Sequence, residues 1–118
     1  MSAAKPDIQV FNQTELTIPL DEDQFPPIAA QIADNEASSF SFVEVVYVDE
    51  DEIGRINNEH LDRDYVTDII IVRYDDADSK QDIEGTMCCC APRIVEQAQE
   101  VEQSPKQEFL RIYIHGLL

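Results

Sequence analysis

The sequence predicts an α+β domain, a small mixed four-stranded sheet packed with about four helices in the order β-α-β-α-β-β-α-α. Three observations predict it. Two stretches, 40–48 and 69–72, are dominated by β-branched and aromatic residues, the composition of sheet strands. Helix-start signals recur at Asp21-Glu22-Asp23 with Pro26-Pro27, at Asp49 with Glu52, at Ala91-Pro92 and at Ser104-Pro105. The third and fourth strands follow one another without a helix, which a doubly wound parallel fold does not permit. At 118 residues, with no internal repeat and no linker, residues 1–118 make one domain able to bury roughly two-thirds of the surface its unfolded chain exposes.

Ile8 to Phe11 form a short apolar stretch before the turn-prone Asn12, a strand expected at the sheet edge. The acids at 21–23 suit the positive dipole end of a helix, and Ile28, Ala29, Ile32 and Ala33 give it an apolar face to about Ala37. The run 40–48 is apolar on both alternating faces for most of its length, as a central strand is. Asp49 as N-cap with Glu52 three residues on is a capping-box pattern, with Ile53, Ile56 and His60 down one face of a helix over about 50–61. A calcium loop starting at Asp49 fails, because Ile53 and His60 fall where oxygen ligands are required.

A polar turn at 62–66 leads into a strand over 67–74 whose four-residue β-branched centre reads as buried. The acidic stretch 75–82 has no periodicity and reads as an exposed, mobile loop. A weaker strand follows at about 83–90, then a helix from Ala91-Pro92 with Ile94, Val95, Ala98 and Val101 as its apolar stripe. Ser104 as N-cap, Pro105 at the first helical position and Gln107 at the third give the last helix a strong start. Apolar residues cover most of its body, 109–114, and place it deep in the domain. Glu108, Arg111 and His115 form one polar stripe that must face water, a ligand or a paired partner.

With 25 acidic against 8 basic residues the formal charge is −17, which argues against a general affinity for nucleic acid and leaves only a local basic groove. No apolar run approaches the roughly 18 residues of a membrane span. The first residues lack the apolar stretch of a signal peptide, so the expected location is cytoplasmic, with no membrane partner. Cys88-Cys89-Cys90 is a poor disulfide framework and fits a reducing compartment. On a strand only Cys88 and Cys90 share a face, and the expectation is small buried strand residues. Gly54, Gly85 and Gly116 are isolated and build no phosphate loop. A Cys89–His nucleophile pair is set aside because a strand interior gives little access.

On spacing alone His115 reads as a last-turn histidine complementing the negative dipole end, with Gly116 as the residue after the helix. Leu117-Leu118 continue the apolar pattern, so the helix need not end there. A glycine inside a helix costs about 1 kcal/mol relative to alanine, which close packing would justify.

Ile56-Asn57, the block Asp64-Tyr65-Val66-Thr67-Asp68-Ile69-Ile70, Gly85, the helix opening Ala91-Pro92-Arg93-Ile94-Val95 and the run from Glu108 into His115-Gly116-Leu117-Leu118 stand in a telling order. Together they resemble the YbeY family of bacterial single-strand-specific, metal-dependent endoribonucleases, over about residues 40–118. The family signature, His-Gly-x-Leu-His-x-x-Gly-Tyr-Asp-His, holds a divalent metal, taken as Zn2+, on three histidines. This chain carries His115, Gly116 and Leu118 of it. The resemblance implies an enzyme hydrolysing single-stranded RNA in 16S rRNA 3′-end maturation and ribosome quality control. Its substrate would be rRNA of the small ribosomal subunit, and ribosome-associated proteins are further partners it allows.

It also implies that His115 is the first metal ligand and part of the catalytic centre, and that Asp68 supports the site from behind. Two further histidines would lie beyond Leu118, so the chain as given is expected to be an incomplete, inactive fragment that holds zinc weakly. The family's catalytic arginine aligns with Leu61, which cannot take the role; Arg63, two residues on, is the candidate contact to substrate phosphate. Ile71-Val72 and Thr86-Met87 depart from the family's Ser-Phe and Asp-Ile. Those departures suit an alternative, a non-catalytic ribosome-associated binding protein of the same fold. The charge alone suits a third, an acidic nucleic-acid mimic that binds a basic protein.

Overall fold

The structure, a computed structural model, describes residues 7–61, 67–74 and 81–118, the side chains at 60 and 61 excepted. The polar turn at 62–66, most of the acidic loop (75–80) and the place of His60 on its helical stripe lie outside the described residues.

Four strands, β1 (Asp7–Asn12), β2 (Phe40–Val48), β3 (Ile69–Arg73) and β4 (Ile83–Cys90), make one sheet in the order β1-β2-β4-β3. β2 pairs parallel with both β1 and β4, whereas β3 pairs antiparallel with β4, so the sheet is mixed, as the uninterrupted β3–β4 step requires. The helices are α1 (Phe25–Asn35), α2 (Glu50–Leu61), α3 (Ala91–Glu100) and α4 (Pro105–Leu117). The α+β class and the element order are those the sequence predicts. No helix among the described residues is long and apolar enough to cross a membrane.

The period-2 alternation of the central strands sorts their side chains onto two faces. Val43, Val45 and Tyr47 of β2 with Met87 and Cys89 of β4 meet α1, α3 and α4 in the larger core. Val48, Cys88, Cys90 and Ile70 meet Ile53 of α2 on the other face. All three cysteines are buried, in the divided arrangement expected of adjacent strand residues. The apolar run of α4 lies in the larger core. The Phe109 ring stands 5.6 Å from that of Tyr47, and the Tyr113 hydroxyl donates to the Phe25 carbonyl at 2.8 Å.

Several boundaries differ from expectation for identifiable reasons. β3 is an edge strand with Ile71 47% exposed, not a buried one, because a short apolar run does not reveal how many neighbours cover it. β4, expected to be the weaker strand, lies inside the sheet. Its small residues fit there: a Cβ on Gly85 would stand 2.8 Å from the Val72 carbonyl oxygen.

Helix α1 stops at Asn35, short of Ala37, where the chain turns to a left-handed φ of 51°. The Ser38 and Ala37 amides then donate to the Ala33 and Asp34 carbonyls, closing the end as a Schellman motif. α3 ends identically around Glu102 at φ 55°, which leaves Val101 54% exposed, off the apolar stripe assigned to it. The capping box at α2 forms by half. Asp49 accepts the Glu52 amide at 2.9 Å, but the Glu52 carboxylate is engaged by Arg55 instead of reaching back.

Candidate functional site

Helix α4 positions His115. Ser104 caps its start by accepting the Gln107 amide at 3.2 Å, as its sequence foretells. The helix does not stop at Gly116, the first reading, but runs to Leu117, as the continued apolar pattern allowed. The Leu118 amide donates to the Ile114 carbonyl at 3.2 Å, and Leu117 is buried. Gly116 is helical, and close approach accounts for it: a Cβ there would stand 2.7 Å from Met87 Cε and 2.8 Å from Ile69 Cδ1. The glycine therefore lets the last turn of α4 lie against β4 and β3.

The polar stripe of α4 divides. Glu108 is 1% exposed yet ionised, because Arg111 bonds both its oxygens, Nε to Oε1 at 2.8 Å and a terminal nitrogen to Oε2 at 2.6 Å. Those bonds hold the Glu108 carboxyl below its ordinary value against the opposing pull of burial. His115, one turn beyond Arg111, is exposed, and its side chain makes no hydrogen bond to another described residue. It lines a cleft of about 230 Å³ whose apolar lining includes Phe40, Val43, Ile71 and Met87, with Arg73 its other basic side chain.

Asp68 stands half-buried just before β3. Its carbonyl accepts the Cys90 amide at 2.9 Å, and its carboxylate accepts Gln97 Nε2 at 3.3 Å and the Thr67 hydroxyl at 3.4 Å. The Arg111 guanidinium is held charged chiefly by Glu108 and, more weakly, by Asp68. The structure thus pairs Glu108 with Arg111 on α4 and carries His115 one turn beyond, while the Asp68 carboxylate is bonded to Gln97 of α3. Arg63 lies outside the described residues. Cys89 is buried, and desolvation pushes its thiol far up, which removes it as a nucleophile.

The profile of the family described as Endoribonuclease YbeY matches residues 9–118. The chain belongs to the YbeY family. A YbeY relative from Chlorobium limicola is 32% identical over 111 residues, covering 94% of this chain and 74% of the relative. One from Ureaplasma urealyticum is 36% identical over 77 residues, covering 65% of this chain and 50% of the relative. The chain therefore spans about half the length of the Ureaplasma YbeY proteins it matches. A solution structure of a Thermotoga maritima protein aligns with a TM-score of 0.64 at 24% identity, over 93% of this chain and 69% of that one, a likeness of fold.

Sequence reading missed Gln97 and Arg73. Gln97 meets an acid 29 positions away, and no local pattern marks such a pair. Arg73 reads as the end of a strand, and only the end of α4 makes it part of a cleft wall. Thr86, noted for departing from the family's aspartate, spends its hydroxyl on Glu44 at 3.1 Å and on Tyr74.

Proposed function

We propose that this YbeY-family chain acts as an endoribonuclease on single-stranded RNA, in 16S rRNA 3′-end maturation and ribosome quality control in the cytoplasm, with His115 at its catalytic centre. The observation that carries the reading is the family match, which runs through His115, whose exposed side chain lines a cleft at the end of α4. At a charge of −17, phosphate contact has to be local; Arg73 in the cleft wall is one group to supply it, and Arg63, outside the described residues, is the candidate from sequence.

The metal is a separate matter. A catalytic zinc keeps three protein ligands and an open position. Among the described residues no cluster of three His, Cys, Asp or Glu is placed to hold a metal, and His115 alone does not make a donor set. Zn2+ dependence is part of the proposal through His115 as one ligand, with the remaining ligands outside the described residues. What the described chain does by itself is set the imidazole: α4 is anchored through Phe109 and Tyr113, and Gly116 lets the turn carrying His115 approach the sheet.

The test uses protein expressed from its complete reading frame, given single-stranded RNA and the same sequence as a duplex. Cleavage of the single strand alone, lost on chelation and restored by Zn2+, is the expected result; equal cleavage of both forms, or of neither, overturns it. The second reading, a non-catalytic ribosome-associated binding protein, is favoured by Thr86, whose hydroxyl is tied to Glu44 and Tyr74 where the family's aspartate would offer a free carboxylate. It predicts co-sedimentation with ribosomes without any cleavage.

A further inference from the structure

Among the described residues, no acidic side chain lines a hollow of about 480 Å³ along α4, whose walls are Gln107, Leu110, Arg111, Ile114, His115 and Leu118. In a chain of 25 acidic against 8 basic residues, that is a surface on which an anion meets little local repulsion. His115 lines this hollow as well as the cleft that holds Arg73, so the two depressions meet at the imidazole. Arg111 stands one helical turn before it on the same face, about 6 Å along the helix axis.

The Arg111 guanidinium is set up to take an anion. Glu108, 1% exposed, occupies one edge of it, bonded to Nε at 2.8 Å and to a terminal nitrogen at 2.6 Å, while the Arg111 side chain is 59% exposed. The remaining N–H donors have no partner among the described residues, and a planar guanidinium can hold a carboxylate on one edge and a phosphate on another. Arg55 and Arg93, by contrast, each lie between two carboxylates, Glu52 and Glu59 or Glu96 and Glu100. Stability does not call for a charged pair at 108 and 111, because well-packed apolar residues in place of a buried pair often hold a fold as well or better. What the pair achieves is a fixed cation in front of a buried carboxylate, with Leu110 and Ile114 beside it as apolar surface for ribose and base.

We infer that Arg111 is a substrate-binding residue: its guanidinium, fixed from behind by Glu108, binds a backbone phosphate of single-stranded RNA in the hollow that His115 also lines. The inference rests on the endoribonuclease reading above and extends it by giving the strand a path along α4. Arg73 contacts the strand in the cleft and Arg111 in the hollow, so the phosphodiester at His115 has an arginine in each of the two depressions that meet there.

The experiment compares wild type, Arg111→Met and the double variant Glu108→Leu/Arg111→Met, all from the complete reading frame. It reads the thermal midpoint and the equilibrium binding of single-stranded RNA over a range of salt, with a chelator present to keep the strand intact. The double variant removes one charge of each sign, so the net charge is unchanged and no carboxylate is left stranded. It is expected to regain the stability that Arg111→Met loses. It should nevertheless bind RNA about tenfold more weakly, with the slope of log K against log salt shallower by about 0.7, the loss of one phosphate contact. A stable double variant with wild-type affinity and slope overturns the role of Arg111 while leaving the endoribonuclease reading intact. If the double variant fails to fold, Glu108→Gln/Arg111→Gln, which also leaves the net charge unchanged, carries the same comparison. A wild type that binds single-stranded RNA without cleaving it when metal is supplied overturns the endoribonuclease reading alone, because the binding comparison still tests Arg111. A wild type that neither binds nor cleaves overturns both.

Discussion

Replacing Arg111 by methionine should destabilise the protein more than replacing Glu108 by glutamine, although the two residues form one pair. The asymmetry follows from their exposure: the Glu108 side chain is 1% exposed and that of Arg111 59%. A glutamine at 108 leaves an exposed guanidinium that water solvates and keeps one acceptor for it, a loss of about 1 kcal/mol. A methionine at 111 strips a buried carboxylate of two charge-assisted bonds. A fully buried pair so broken costs about 3–5 kcal/mol, and the partial solvation of Arg111 brings the expectation down to about 2–3 kcal/mol.

The pH dependence has a definite sign. In wild type the folded-state value of Glu108 lies below its unfolded one, so the stabilisation is complete above the unfolded value and fades as pH falls through the folded one. In Arg111→Met burial raises the same carboxyl, so the penalty is full at neutral pH and fades as acid protonates it. Urea titrations of wild type and variant between about pH 7 and about pH 3 should therefore converge as pH falls. A gap that does not change with pH, or an equal loss in Glu108→Gln, would refute the reasoning.

The other predictions concern backbone and core. Ala37→Gly and Glu102→Gly should each stabilise by about 0.5–1 kcal/mol, since the left-handed turn costs an L residue about 1–2 kcal/mol, partly offset by the greater freedom glycine loses on folding; thermal midpoints that drop would count against the Schellman ends. Gly116→Val should cost about 1–3 kcal/mol by driving into Met87 and Ile69 despite valine's better helix propensity. Met87→Ala should then relieve part of that loss, and an unchanged denaturation midpoint for Gly116→Val would mean that the last turn of α4 does not lie against the sheet. The three buried thiols should resist alkylation in native protein and react on addition of urea, with Cys89 slowest because burial pushes its thiol up; rapid native labelling would contradict their placement.

Element order was legible because each helix start carries its own chemistry, as in Ser104 capping Gln107 and Asp49 capping Glu52, and because β-branched runs announce strands. Neighbourhood was less legible. The run 69–72 reads the same at an edge as inside a sheet, and β4 looked weak because Gly85 and three cysteines have little strand propensity, yet small residues are what its crowded position admits. Helix ends at Ala37 and Glu102 carry no glycine to signal the left-handed turn. At the site, His115 and its stripe were visible from spacing, and the pairing of Glu108 with Arg111 is the i,i+3 contact that spacing allows. Gln97 with Asp68 was not, since the contact depends on how α3 packs beside the start of β3.

His115→Ala tests the central claim most directly. Protein from the complete reading frame, wild type and variant, is compared by initial rate of single-stranded RNA cleavage, with circular dichroism to show that both are folded. The His115 side chain is exposed and makes no hydrogen bond among the described residues, so the substitution should leave the fold and its thermal midpoint unchanged while cleavage falls by about a hundredfold or more. A folded variant that cleaves at the wild-type rate would contradict the placement of His115 at the catalytic centre.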